Sequence, residues 1–481
     1  MEIDRILVSV GPGQTRIAAT SKGQLVGLNF ERAEQRNMVG DIFVGRVKTV
    51  VNSLQAAFVD IGEDVSGFLE LAEARPYSSK SKDSITDYVV EGDLILVQVT
   101  RNAEGKKGAK LTLKPVLTGR NLIFIPGQSG ISVSNRIKNS EIRDRLKDTL
   151  ARRKNTSGGF IIRTVAEESQ TSVLLTEAAR LENKWTEILS ASHAIRRPKI
   201  LMQEVPSVQR LLRDVNLANL NVVLTDDIEN YNQLMTYITN EIPNISDLVH
   251  LHRGKESLFH AEGIEEMIDA ALDPLVELPN GGNIKITETD ALVAVDVNTG
   301  GAAGNNRDQM ILSVNCTAAK VFARHMQLRN LSGLIVIDFV TMRNTKHQKN
   351  VLETFRKAVA DDPQQPFIGG FTKFGLLEMT RRRRGPSLSA SLCEKSSGPE
   401  KSLVTAGLDA LREILEEAFL APASHFSLRV SEEMLRIFEN DLATALKDVE
   451  NKIGGRLKLK SFPAIKPNTY LIQSKPGSSH E

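Results

Sequence analysis

The chain has 481 residues, of which 41% are hydrophobic and 25% charged, giving room for roughly two to four domains with ample core. Its longest apolar runs, such as Leu334 to Ile337, fall far short of the roughly 20 residues that cross a bilayer, which excludes a helical membrane protein or a membrane anchor. A formal net charge of +2 is too mild to mark a nucleic-acid binder, and two cysteines, Cys316 and Cys393, exclude a disulfide framework and fit a reducing, cytoplasmic setting.

The chain opens MEIDRILVSV, with an acid at position 2 and no long apolar stretch, so no secretory signal is expected. The segments RILVSV, TRIAAT and LVGLNF alternate apolar and polar residues and predict three short strands, with turns at Gly11-Pro12-Gly13 and Lys22-Gly23. Residues 37–118 carry five strand-like pieces: IFVGRVKTVV, QAAFVDIG, SGFLEL, DLILVQVTR and AKLTL. Five strands with glycine-bearing turns over this length suit a small OB-type barrel. From 119 to 207 the strand FIIRTV mixes with polar helices around Glu141–Arg152 and Thr176–Ser190. NVVLTDD, a helix near Tyr231–Ile242, a short strand at Val249–His252 and a helix at Ile264–Leu272 then read as α/β. IKIT and LVAVDVN predict a hairpin turning around Glu288–Asp290. A helix with apolar residues at Ile311, Val314, Ala318, Val321 and Leu328 follows. Then come a buried strand LIVIDF, a helix near Lys346–Ala360 and a last strand ending FGLLEMT. Residues 381–401, rich in Arg, Ser, Gly, Pro and Lys, read as a linker. The remainder holds a helix at Leu403–Phe419, a small α/β domain and a polar, frayed tail.

Charge is clustered rather than spread. Arg381–Arg384 are four consecutive arginines and KKGAK occupies Lys106–Lys110, which suggests a polyanion track. A solvated charge run is the competing reading of each cluster.

The strongest chemical signal is a pair of aspartates at the ends of apolar strands. In LVAVDVN, alternation puts Asp296 and Asn298 on one face and Val295 and Val297 on the other. In LIVIDF, Asp338 follows four aliphatic residues. Both strands are expected to be central in their sheet, where a carboxylate entering the core is costly unless paired or metal-bound. Taken singly, each aspartate reads first as the cap of a turn or helix after its strand. Taken together, with Asn298 beside Asp296, they read as a hard-oxygen cradle for Mg²⁺.

These motifs resemble the RNase E/G family of bacterial endoribonucleases, in its compact, RNase G-like form, over nearly the whole length. The matching stretches are LQAAFVDIG with GFLEL, GKKGAKLT, IIRT, LVAVDVNTG, LSGLIVIDF and FGLLEMTRRR followed by PSL, in family order. The resemblance implies a multidomain α+β and α/β chain. In it, residues 1–34 and 208–280 form an RNase H-like subdomain, split by an OB-type RNA-binding barrel at 37–118 and a 5′-sensor at 119–207. A DNase I-like catalytic subdomain at 281–385, a linker at 386–402 and a small C-terminal domain at 403–481 would follow. It also implies Mg²⁺ on Asp296 and Asp338, with Asn298 in support. RNA would stack on Phe58 and Phe68 beside Lys107, although alternation alone leaves Phe58 equally a core residue. A pocket for a 5′-monophosphate falls on Arg163 and Thr164, flanked by Gly119 and Ile123 and neighboured by Lys373. Single-stranded RNA, as ribosomal precursors and messengers, is the implied substrate.

Two departures from the family stand out. Where members carry CPxC and share zinc between subunits, this chain reads Cys393-Glu394-Lys395-Ser396. One thiolate per chain cannot supply the tetrahedral sulfur set that structural zinc favours. No structural zinc is therefore expected, Cys393 becomes an exposed free thiol, and a homodimer or homotetramer would rely on protein contacts. Where the family has a glutamate after an asparagine, this chain has Asn315-Cys316-Thr317, and its glycine-rich loop 301–309 lacks the family's usual acidic residues, implying weaker activity if that acid assists catalysis. No long scaffold for docking a degradosome is expected. The competing reading is an RNA-binding protein with lost or minimal catalysis; retention of Asp296, Asn298 and Asp338 opposes it. A deoxyribonuclease is disfavoured by the barrel and sensor, which suit flexible RNA.

Overall fold

The computed structural model describes residues 3–32, 36–77, 83–103, 107–153, 158–302, 306–383, 385–393, 400–421 and 424–476. The chain divides into two compact units, one of residues 1–34 with 218–481 and one of residues 35–217.

The first unit begins with β1 (Arg5–Gly11), β2 (Gln14–Ser21) and β3 (Gln24–Arg32), joined as an antiparallel meander. Ile6, Leu7 and Val8 are all buried, as a strand covered on both faces requires.

In the second unit, β4 (Ile42–Val51), β5 (Ala56–Asp60), β6 (Gly67–Glu70), β7 (Leu94–Arg101) and β8 (Lys110–Thr112) run in the order β4-β5-β6-β8-β7. A further pairing of β7 with β4 closes them into a five-stranded barrel. Phe43, Val47, Val59, Leu69, Val97 and Leu111 fill its interior. Next come β9 (Leu117–Thr118), β10 (Leu122–Pro126), β11 (Ile131–Val133) and β12 (Gly158–Ile162), forming a separate sheet in the order β11-β12-β10-β9. The helices Ser140–Ala151 and Thr171–Ala194 share a core with it around Phe124, Phe160 and Trp185. β13 (Lys199–Met202) pairs antiparallel with the start of β4.

The first unit resumes with β14 (Val222–Thr225) and β15 (Val249–Leu251), which extend the first sheet in parallel beyond β1. A six-stranded sheet follows, built from β16 (Leu275–Glu277), β17 (Asn283–Glu288), β18 (Leu292–Asn298), β19 (Gly333–Asp338), β20 (Phe367–Phe371) and β21 (Leu377–Arg381) in the order β16-β17-β18-β19-β21-β20. The helices Arg307–Leu328 and Thr345–Ala358 bury Val314, Phe322, Val351 and Phe355 in one core with Ile284, Val295, Val297, Ile335, Ile337 and Met379. Finally β22 (Ser424–Val430), β23 (Lys458–Ser461) and β24 (Tyr470–Pro476) form a three-stranded sheet sharing a core with the helix Leu403–Leu420.

Three expectations are corrected. LIVIDF is not buried throughout: Leu334 is 43% exposed and Asp338 exposed, while Ile335 and Ile337 are sealed. Residues 381–401 are not wholly linker. The short helix Leu388–Leu392 anchors Leu388 and Leu392 in the core beneath β1 and β2, and Leu388 N–H bonds Arg329 O at 2.9 Å. The four arginines are not one surface track either. Arg381 is 5% exposed, with Nε donating to Asp362 at 2.7 Å and Nη1 to Leu331 O at 2.8 Å; Arg384 lies outside the described residues.

Candidate active site

β18 and β19 run parallel, and their register sets Asp296 directly beside Asp338. In a strand pair, in-register side chains share a face. Val293, Val295 and Val297 of β18 and Ile335 and Ile337 of β19 take the helix-covered face, so the aspartates take the other, and both are exposed. The expectation that they enter a core is thus overturned. The helices cover one face of this sheet, and the strands alternate as half-buried strands do. The carboxylates keep their water and need no partner to offset burial.

Asn298, two residues beyond Asp296 on the same face, donates Nδ2 to Asp296 Oδ2 at 2.8 Å. This bond engages one oxygen of the exposed carboxylate and restrains its orientation. Adjacent strands lie about 4.8 Å apart, a span over which two carboxylates can grip one small cation with ligand distances of about 2.1 Å. Among the described residues no three His, Cys, Asp or Glu side chains cluster for metal binding. Asp296 and Asp338 offer two neighbouring carboxylates on this face, a donor set that could hold a hard divalent cation whose remaining ligands are water and phosphate. Glu378, opposite Val336, adds a further carboxylate to this face outside that pair.

Asn315 has a role that the sequence did not reveal. It is fully buried in the helix Arg307–Leu328, and its amide donates to Val340 O at 2.8 Å and accepts from Val340 N–H at 3.1 Å. It thereby pins the chain just after Asp338. Its signal was an asparagine beside the apolar stripe Ile311, Val314, Ala318. Thr317 accepts from Asn280 Nδ2 at 3.3 Å, tying its helix to the turn before β17. Within the loop 301–309, residues 303–305 lie outside the described set.

In the barrel, Phe58 and Phe68 are register partners on β5 and β6, with ring centroids 5.6 Å apart. Phe58 is 36% exposed while Ala57 and Val59 on either side are buried, so it lies outside the barrel core. Lys107 is exposed, and the strand it leads approaches so closely that a Cβ on Gly108 would sit 1.9 Å from Ser66 O. Phe68 N–H meets Ala109 O at 2.7 Å, which seats this strand beside Phe68.

At the end of β12, Arg163 turns back toward β9 and β10. Nη1 donates to Gly119 O at 2.8 Å and Arg120 O at 3.2 Å, and Nη2 donates to Asp214 at 2.8 Å. Thr164 Oγ1 lies 3.0 Å from Ser134 Oγ, and Ile123 sits on β10 opposite Ile161. Gly119 has no room for a side chain, because a Cβ would meet Glu177 Oε1 at 2.0 Å. Glu177 is 7% exposed and is held there by Asn121 N–H at 2.9 Å and Asn121 Nδ2 at 2.7 Å. Asp214 and Glu177 were not foreseen; neither has a local motif. Lys373 belongs to the other compact unit, in the turn between β20 and β21.

Cys393 is half-buried rather than exposed and packs against the core of β1 and β2. Burial pushes its thiol pKa up. Residues 394–396 lie outside the described set.

The fold and site define a mixed α+β multidomain protein with a closed five-stranded barrel and a paired-aspartate sheet face. Residues 116–384 match the family model described as Ribonuclease E/G family. Ribonuclease G of Escherichia coli is 33% identical over 473 residues, covering 95% of this chain and 97% of that protein. Ribonuclease G of Haemophilus influenzae is 34% identical over 477 residues, covering 96% and 97%. Ribonuclease E of Nostoc sp. is 33% identical over 363 residues, covering 74% of this chain and 53% of that protein. The chain belongs to the Ribonuclease E/G family.

Proposed function

We propose that this protein is an endoribonuclease that hydrolyses single-stranded RNA at Asp296 and Asp338, with Mg²⁺ as its metal and 5′-phosphate and 3′-hydroxyl ends as products. The observation that carries the reading is the in-register placement of these two aspartates on an open sheet face, in a chain of a ribonuclease family. Asp296 and Asp338 would hold the ion, and Asn298 fixes the orientation of Asp296. When bound, Mg²⁺ supplies Lewis-acid polarisation of the scissile phosphate and lowers the pKa of water. Water adds to phosphorus and releases a proton to solvent, the bond to the 3′-oxygen breaks, and that oxygen leaves as a hydroxyl with a proton from solvent.

Phe58 and Phe68 offer rings on which bases stack without regard to sequence, each stack contributing about 1–3 kcal/mol, and Lys107 supplies charge for the backbone. Arg163 and Thr164, with Gly119 and Ile123, form the proposed 5′-monophosphate sensor that stimulates cleavage. Ribosomal RNA maturation and messenger decay in the cytoplasm are the proposed settings. No helix among the described residues is long and apolar enough to cross a membrane.

A gel assay on a 5′-monophosphorylated single-stranded RNA tests the reading. Cleavage with Mg²⁺ is expected to vanish with EDTA and to fall at least about a hundredfold in Asp338→Asn, as loss of a group that stabilises transition-state charge does. Cleavage that survives both changes overturns it.

A further inference from the structure

The row of side chains that contains the aspartates does not end with them. On the far side of Asp296 from Asp338, β17 runs antiparallel to β18 and its register sets Lys285 directly opposite Asp296. Ile284 and Ile286 take the helix-covered face, so Lys285 shares the open face with the carboxylates and is itself exposed. The row therefore reads Asp338, Asp296, Lys285, Leu275 across β19, β18, β17 and β16. A cross-strand Lys–Asp pair with Cβ atoms about 5 Å apart ordinarily closes into an ion pair. Here, among the described residues, Lys285 makes none. Its other strand neighbour is the apolar Leu275, which competes for nothing. Asp296 instead has one oxygen engaged by Asn298.

We infer that Lys285 is a further catalytic residue of the proposed cleavage, its ammonium contacting a non-bridging oxygen of the scissile phosphate beside the Asp296–Asp338 pair. The inference rests on the nuclease reading of that pair. Phosphoryl transfer concentrates negative charge on the non-bridging oxygens, and two carboxylates with one divalent ion leave little net positive charge to meet it. A fixed cation on a four-carbon stem, one strand away and uncommitted, reaches the oxygen that the metal does not. Lys285 exchanges no proton in the step; it holds charge against the phosphate from ground state to transition state, more strongly in the latter.

The test compares wild type, Lys285→Met, Lys285→Arg and Asp338→Asn on a 5′-monophosphorylated RNA, with and without a phosphorothioate at the cut position. Mn²⁺ binding is followed separately by electron paramagnetic resonance on RNA-free protein. Lys285→Met is expected to lower kcat about tenfold or more, with KM changed less than twofold, and to shrink the thio effect seen in wild type. Lys285→Arg should restore most of the rate. Mn²⁺ should bind Lys285→Met as tightly as wild type or tighter, because a neighbouring positive charge has gone. Wild-type kcat in Lys285→Met, an undiminished thio effect, or lost Mn²⁺ binding would each overturn the assignment. If wild type and Asp338→Asn cleave alike, it is the nuclease reading of the aspartates that fails.

Discussion

Both backbone polar groups of Val340 are satisfied by one side chain, the amide of Asn315, which donates to the carbonyl at 2.8 Å and accepts from the N–H at 3.1 Å. Val340 lies two residues beyond Asp338, so this clamp fixes how the chain leaves β19 and hence where the Asp338 carboxylate points. An apolar replacement leaves two backbone groups unpaired near the core, each at about 1–3 kcal/mol. Asn315→Leu is therefore expected to lose about 2–5 kcal/mol of stability in urea unfolding. At temperatures where it stays folded, it should also lose cleavage rate with little change in RNA affinity. Unchanged unfolding would remove the clamp from the account.

Arg163 carries the second prediction. Its guanidinium already bonds Asp214, which also accepts from Arg213 Nε at 3.1 Å. A terminal phosphate arriving at Arg163 has to share or displace a carboxylate. Asp214→Asn keeps the shape and removes the competing charge, so the preference for 5′-monophosphate over 5′-hydroxyl RNA should rise. Arg163→Ala should instead collapse that preference by roughly tenfold to a hundredfold, the worth of a charged hydrogen bond. The readout is the ratio of cleavage rates on the two RNAs. Equal slowing of both by Arg163→Ala removes the sensor assignment.

How much of this was legible in the sequence depends on range. Strand alternation foretold that Asp296 and Asn298 share a face, because period two is local. Which face was not legible: an apolar run such as LIVIDF reads the same whether its polar side meets water or a second layer. The register that aligns residues 296 and 338 is set by pairing across 42 positions, and the resemblance rather than the pattern led to it. The same limit explains Arg381. Within a run of four arginines it looks like surface charge, yet β21 alternates and directs it inward onto Asp362, which is fully buried and far along the chain. The barrel was legible because five short strands with glycine turns admit few closed arrangements, and the closure itself came from β4 pairing with both β5 and β7.

The last prediction concerns pH. His325 is 6% exposed near the end of the helix Arg307–Leu328. Arg329 Nε donates to its Nδ1 at 3.2 Å, and Arg324 Nη2 lies 3.3 Å from its Nε2. Burial first, then Arg329, then Arg324 push its pKa from 6.5 down to about 3. A protonated ring would face two cations, with no acceptor bonded to it among the described residues, so the folded protein keeps it neutral. The unfolded chain takes up that proton as pH falls below 6.5 and the folded chain does not, so protons favour unfolding between these limits. Stability from this group is thus complete above pH 6.5 and declines below it by at most about 1.4 kcal/mol per pH unit. His325→Gln, which can still accept from Arg329, should unfold with a shallower pH dependence than wild type between pH 6.5 and 5. Denaturant midpoints measured across that interval decide the matter, and parallel curves for the two proteins would contradict the assignment.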